Sequence, residues 1–128
     1  MENTVKKLTT LAALIMTVSI AGTALAHGDR AEFDGIVQSV GNLQFELVKK
    51  NSAAIIFVQS HGKKISTAGA KGTLTVMNGA VKTEVPLQPS GDNAMETKGD
   101  AKLAPGAKAI AAITFADNKA VAVNFSVK

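Results

Sequence analysis

The segment "GTLTVMNGAVKTEVPLQ", residues 72–88, decides how the chain folds. Leu74 and Val76 alternate with Thr73, Thr75 and Met77, the period of two that belongs to a strand with one buried face. Asn78-Gly79 is a strong short hairpin signal, because both residues tolerate positive φ. Val81, Thr83 and Val85 continue the alternation on the return strand. Pro86 and Pro89 lack the N–H that a ladder needs, so they are expected to stop regular pairing or to confine the segment to a sheet edge.

The same grammar extends in both directions. Upstream, "IVQSVGNLQFELVKKN" (36–51) holds two alternating runs around Gly41-Asn42, with Leu43, Phe45 and Leu47 on one face and Gln44, Glu46 and Val48 on the other. "AAIIFVQS" (53–60) is apolar on both faces, which marks a central strand. "HGKK" (61–64) then turns the chain. Downstream, Ser90–Asn93 is turn chemistry and Ala94–Thr97 a short strand. Leu103-Ala104-Pro105-Gly106 is a tight turn. "AKAIAAITF" (107–115) is rich in alanine, yet it borders a strictly alternating run: Val121, Val123, Phe125 and Val127 against Ala122, Asn124 and Ser126. A run that regular needs a strand partner, and its neighbour in sequence is the nearest one. These signals predict an all-β domain: a small antiparallel Greek-key (immunoglobulin-like) β-sandwich of about seven strands, preceded by a signal-peptide helix.

The N-terminus "MENTVKKLTTLAALIMTVSIAGTALA" has a basic start at Lys6 and Lys7, an apolar run from Leu8 to Ala21, and the small-x-small triplet Ala24-Leu25-Ala26. This is the three-part pattern of a secretory signal. A membrane anchor is the competing reading, but the run is short for a bilayer span of ~20 apolar residues and is broken by Thr17, Ser19, Gly22 and Thr23. Cleavage after Ala26 makes His27 the new N-terminus and places the protein in the periplasm, with no membrane span in the mature form. The expected organisation is a signal peptide over 1–26, a flexible arm over 27–35 and the β-domain over 36–128. Cysteine is absent, so neither a disulfide nor a lipid-modified cysteine is available and the core alone holds the fold. The formal charge of +4 is spread over scattered lysines, and the chain has no Trp or Tyr. Nothing forms a basic strip or a stacking platform for nucleic acid.

The chemistry available is narrow. With two histidines and no cysteine, no nucleophile–base pair is recognisable, and Gly-x-Ser-x-Gly, Walker A and His-Glu-x-x-His are all missing. The chain is not expected to be an enzyme. A metal site is the sharper possibility. An N-terminal His27 offers its amine and its imidazole as a chelate suited to Cu(II), and His61 is the candidate for a third nitrogen. Asp29 and Asp34, with Glu32, lie close behind His27 and could add an oxygen ligand. Met77 and Met95 would suit Cu(I) if exposed. The plainer readings are that His61 in "SHGKK" is a solvated turn residue, that "GDRAEFDG" (28–35) is a frayed arm, and that both methionines fill core.

From "DGIVQSVGNLQFELV" to "FSVK" the chain resembles small exported bacterial proteins associated with heavy-metal efflux systems. The likeness is carried by Phe45-Glu46-Leu47-Val48, the His61-Gly62-Lys63 turn, Thr67-Ala68-Gly69-Ala70 before "TLTV", and Ala104-Pro105-Gly106-Ala107-Lys108. The family's His-Gly-rich start is reduced here to His27-Gly28 and Phe33-Asp34-Gly35, with Asp34 where a second histidine is usual. A more distant analogy is to periplasmic copper-carrier β-sandwich proteins, which also begin with histidine. The resemblance implies a metal-handling accessory protein, for copper, linked to heavy-metal resistance, with an efflux-system component as a possible partner. The alternative is a metal-free exported module that docks on a larger periplasmic partner through an edge strand or an apolar face.

Overall fold

The computed structural model describes residues 31–128; the signal segment, His27, Asp29 and the rest of 27–30 lie outside the described residues. The described chain is all-β, with nine strands: β1 (Ile36–Val40), β2 (Leu43–Lys50), β3 (Ala53–Ser60), β4 (Lys63–Lys64), β5 (Lys71–Asn78), β6 (Val81–Pro89), β7 (Ala94–Thr97), β8 (Lys108–Thr114) and β9 (Ala120–Ser126). All pairings are antiparallel, in the order β1-β2-β3-β7-β6-β5-β8-β9, with the two-residue β4 attached to β3. The ladder is one continuous sheet, not two separate ones. Its end strands β1 and β9 run beside each other without pairing, so the sheet nearly closes into a barrel. Among the described residues no helix is long and apolar enough to cross a membrane.

Alternation supplies the core. Phe45 and Leu47 of β2, Ile56 and Val58 of β3, Leu74 and Val76 of β5, Met95 of β7, Ile113 of β8 and Val123 and Phe125 of β9 are all buried and face inward together. β3 lies between β2 and β7, as its two apolar faces led us to expect. Three uncharged polar side chains are buried with their partners supplied. The Thr97 hydroxyl accepts from the Ala54 amide, the Thr67 hydroxyl donates to the Ala94 carbonyl, and the Asn93 amide donates to the Val58 carbonyl. Each replaces a water hydrogen bond that burial removes.

Two local expectations are corrected. The β5–β6 hairpin turns one residue later than Asn78-Gly79. Asn78 pairs with Val81, so the loop is Gly79-Ala80, with Gly79 at φ 63° and Asn78 donating its side-chain amide to the Lys102 carbonyl. A glycine at the first loop position followed by a residue at negative φ is the pattern of a type II′ turn, which needs only one residue at positive φ. Secondly, β6 carries Pro86 and Pro89 yet lies between β5 and β7. The Pro86 carbonyl accepts from Lys98, which follows the last residue of β7. Within one strand residue the N and O point to the same side, so the missing N–H of Pro86 faces a place where the neighbouring strand has already ended.

Candidate functional site

His61 is the imidazole of the described domain. It takes the first position of the two-residue loop joining β3 to β4, with Ser60 paired to Lys63. His61 and Gly62 both have positive φ, 52° and 81°, the signature of a type I′ turn. That geometry exposes the imidazole at one end of the barrel. Among the described residues no group of three or more His, Asp or Glu side chains gathers in a way that could hold a metal ion. Met95 is fully buried on the inward face and offers no thioether to solvent, whereas Met77 is half-buried on the outer face.

The stretch 31–35 lies across the outer face of β2 and β3, and Glu46 holds it there. The pleat puts Glu46 opposite to Phe45 and Leu47, on the outside, yet it is only 3% exposed. The loop covers it. Oε1 accepts from the Glu32 amide at 2.8 Å, and Oε2 accepts from the Phe33 amide at 2.8 Å and the Gly35 amide at 2.7 Å. One carboxylate thus satisfies three of the loop's amides, those of Glu32, Phe33 and Gly35, through charge-assisted hydrogen bonds. Asp34 turns the loop at φ 59° with its side chain exposed. Gly35 fits because its Cα is pressed against the sheet: a Cβ there would lie 2.4 Å from the Leu47 carbonyl oxygen. The Phe33 ring stacks on Phe57, centroids 4.2 Å apart and 28° between planes.

The direction of this loop matters. Gly35 sits beside Leu47 and Val48, Phe33 over Phe57, and Glu32 accepts a hydrogen bond from the Gln59 side-chain amide. Followed back from β1, the chain therefore climbs β3 toward its Ser60 end, and Gln59 is two residues before His61. Asp34 lies lower, toward Leu47. Sequence reading singled out His61 and Asp34 and missed Glu46 and Phe57, whose alternation marked them as ordinary outward positions. The only hint was that "AAIIFVQS" is apolar on both faces, so its outward Ile55 and Phe57 needed a cover.

No family model, curated protein or solved structure matches this chain.

Proposed function

We propose that this chain is an exported, periplasmic, non-enzymatic metal-handling accessory protein, with Cu(II) as its metal and heavy-metal resistance or efflux as its setting. His27, freed by cleavage after Ala26, supplies the amine and imidazole nitrogens; His61 supplies the third nitrogen. Of the two candidate carboxylates Asp29, which precedes the Glu32 anchor in sequence, adds the oxygen, since Asp34 follows that anchor on the way down to Gly35 and Leu47. The observation that carries this reading is the anchoring of Glu32 on Gln59, two residues short of the His61 turn. Four residues lie between His27 and Glu32, and a chain of about five residue steps extends to at most ~18 Å. Three nitrogens in a tetragonal arrangement suit Cu(II) over harder cations. In architecture we take the single sheet as a Greek-key fold rolled almost shut, its two halves facing each other in the manner of an immunoglobulin-like sandwich; the Greek-key part is supported by the order β8-β5-β6-β7.

Calorimetric Cu(II) titration tests the proposal. The chain with its authentic His27 terminus is expected to bind one ion tightly. One extra glycine before His27 moves the amine out of the chelate, and His61→Asn removes the imidazole while keeping a residue that tolerates the turn's positive φ. Both should weaken binding at least about tenfold, since each removes a ligand. Equal, weak binding by all three proteins would end the copper reading.

A specific observation favours a second reading, a metal-free docking module. Phe33 is 46% exposed on top of Phe57, and Val37, Val48 and Ile55 are half-buried on the same outward face of β1, β2 and β3. An aromatic pair of this kind is a natural centre for a protein contact.

A further inference from the structure

At the end of the barrel where His61 sits, the core is not closed. Val40, Leu43, Ile65, Phe115 and Val121 pack against the core but stay partly exposed, and they line one cleft of about 680 Å³. The cause is the topology. β1 and β9 end the ladder and are not paired with each other. Val40 closes β1 at this end and Val121 is the second residue of β9, so inward-facing side chains meet water at the seam. The β1–β2 turn and the β8–β9 loop form two walls. Residues 65–68 form a third, fixed by the Thr67 hydroxyl on Ala94 and the Thr67 amide on the Asp92 carbonyl. The loop also packs tightly on the β8–β9 turn: a Cβ on Gly69 would lie 3.0 Å from that of Ala116.

The rim decides the ligand's polarity. Asp117 Oδ1 is occupied by the Lys119 backbone amide, and the Ser66 hydroxyl by the Ala68 amide. The Lys119 ammonium makes no ion pair among the described residues. The β3–β4 hairpin and the start of β5 bring Lys63, Lys64 and Lys71 to the same end, against the carboxylates of Asp92 and Asp117. An apolar hollow of this size in a barrel mouth, with a few polar groups at its edge, has the build of a small-molecule site.

We propose that this cleft binds a free, single-chain anionic amphiphile: a medium-length alkyl or a small aryl body seated on Leu43, Ile65 and Phe115, with its anionic head at Lys119. The site needs neither His27 nor a metal, so it stands or falls apart from the copper reading.

A dye that brightens on leaving water for apolar surface reports occupancy of the cleft. Anilinonaphthalene sulfonate, an aryl anion, is titrated into the chain beginning at His27, and decanoate, decanol and decyltrimethylammonium then compete for it. Decanoate is expected to displace the dye best. Lys119→Glu should weaken decanoate by about tenfold, the effect of one charge-assisted contact, and leave decanol within about twofold. Ala68→Trp, which fills the cleft from an exposed loop position, should abolish dye binding. Amide shifts on adding decanoate should fall on residues 40–43, 65–68 and 115–121. The proposal is overturned if Ala68→Trp binds the dye as well as the parent, if the cation competes as strongly as the carboxylate, or if the shifts map to the Phe33–Phe57 face.

Discussion

Replacing Glu46 tests how the N-terminal stretch is held. The carboxylate accepts three backbone hydrogen bonds under a loop that leaves it 3% exposed. Bonds to a charged acceptor are worth roughly 1.5–3 kcal/mol each when made. The three do not sum, because a loop that loses its anchor swings out and its amides bond to water. What is then lost is the net worth of the anchor and the Phe33–Phe57 stack, itself about 0.5–1.5 kcal/mol. Glu46→Ala is therefore expected to cost about 2–4 kcal/mol. Glu46→Gln keeps one oxygen, which can serve Phe33 and Gly35, but sets its NH2 group against the Glu32 amide; about 1–3 kcal/mol is expected. For a domain near 100 residues each kcal/mol lowers Tm by about 4–8 °C. Urea unfolding followed by far-UV circular dichroism gives the free energies, and hydrogen exchange at the Glu32, Phe33 and Gly35 amides gives the location. In the parent these amides should be protected, and in Glu46→Ala they should exchange freely while the β2–β3 ladder stays protected. A change below about 0.5 kcal/mol, with those amides unprotected in the parent, would refute the anchor.

Other substitutions probe other parts of the argument. Gly35→Ala places a Cβ 2.4 Å from the Leu47 carbonyl oxygen, so about 1–3 kcal/mol of stability should be lost in urea unfolding, with the loop displaced. Thr97→Val keeps the shape but leaves the buried Ala54 amide without its acceptor, at a cost of about 1–3 kcal/mol in the same assay. Met95→Ala opens a cavity at a fully buried site between β3 and β6 and should cost about 2–5 kcal/mol. Phe33→Ala removes a half-exposed ring and should cost no more than about 1.5 kcal/mol, while lowering the protection of the 32–35 amides.

Strand positions were legible because period-two alternation is a direct consequence of the pleat. The runs around Leu74, Phe45 and Val123 all lie on strands, and the two-faced apolar run of β3 marked its central place. What escaped depends on contacts between segments far apart in sequence. Glu46 reads as an ordinary outward glutamate, since nothing in the residues near it announces a loop that returns from 31–35 to cover it. Pro86 reads as an edge residue, because where β7 ends beside it is set by the 97–101 segment. The position of the β5–β6 turn differs by one residue because Asn78-Gly79 and Gly79-Ala80 both satisfy hairpin rules. Near-closure into a barrel rests on β1 meeting β9, a contact between the two ends of the domain. Of the candidate site, the exposed turn position of His61 was readable from "SHGKK". The loop that approaches it was not, because its course is set by Glu46 and Gln59.

The most direct test of the account is a count of imidazoles on Cu(II) by electron spin echo envelope modulation, on the chain that begins at His27. Two imidazoles in the parent protein and one in His61→Asn are expected. A single imidazole in both would separate His61 from the ion and contradict the two-histidine site.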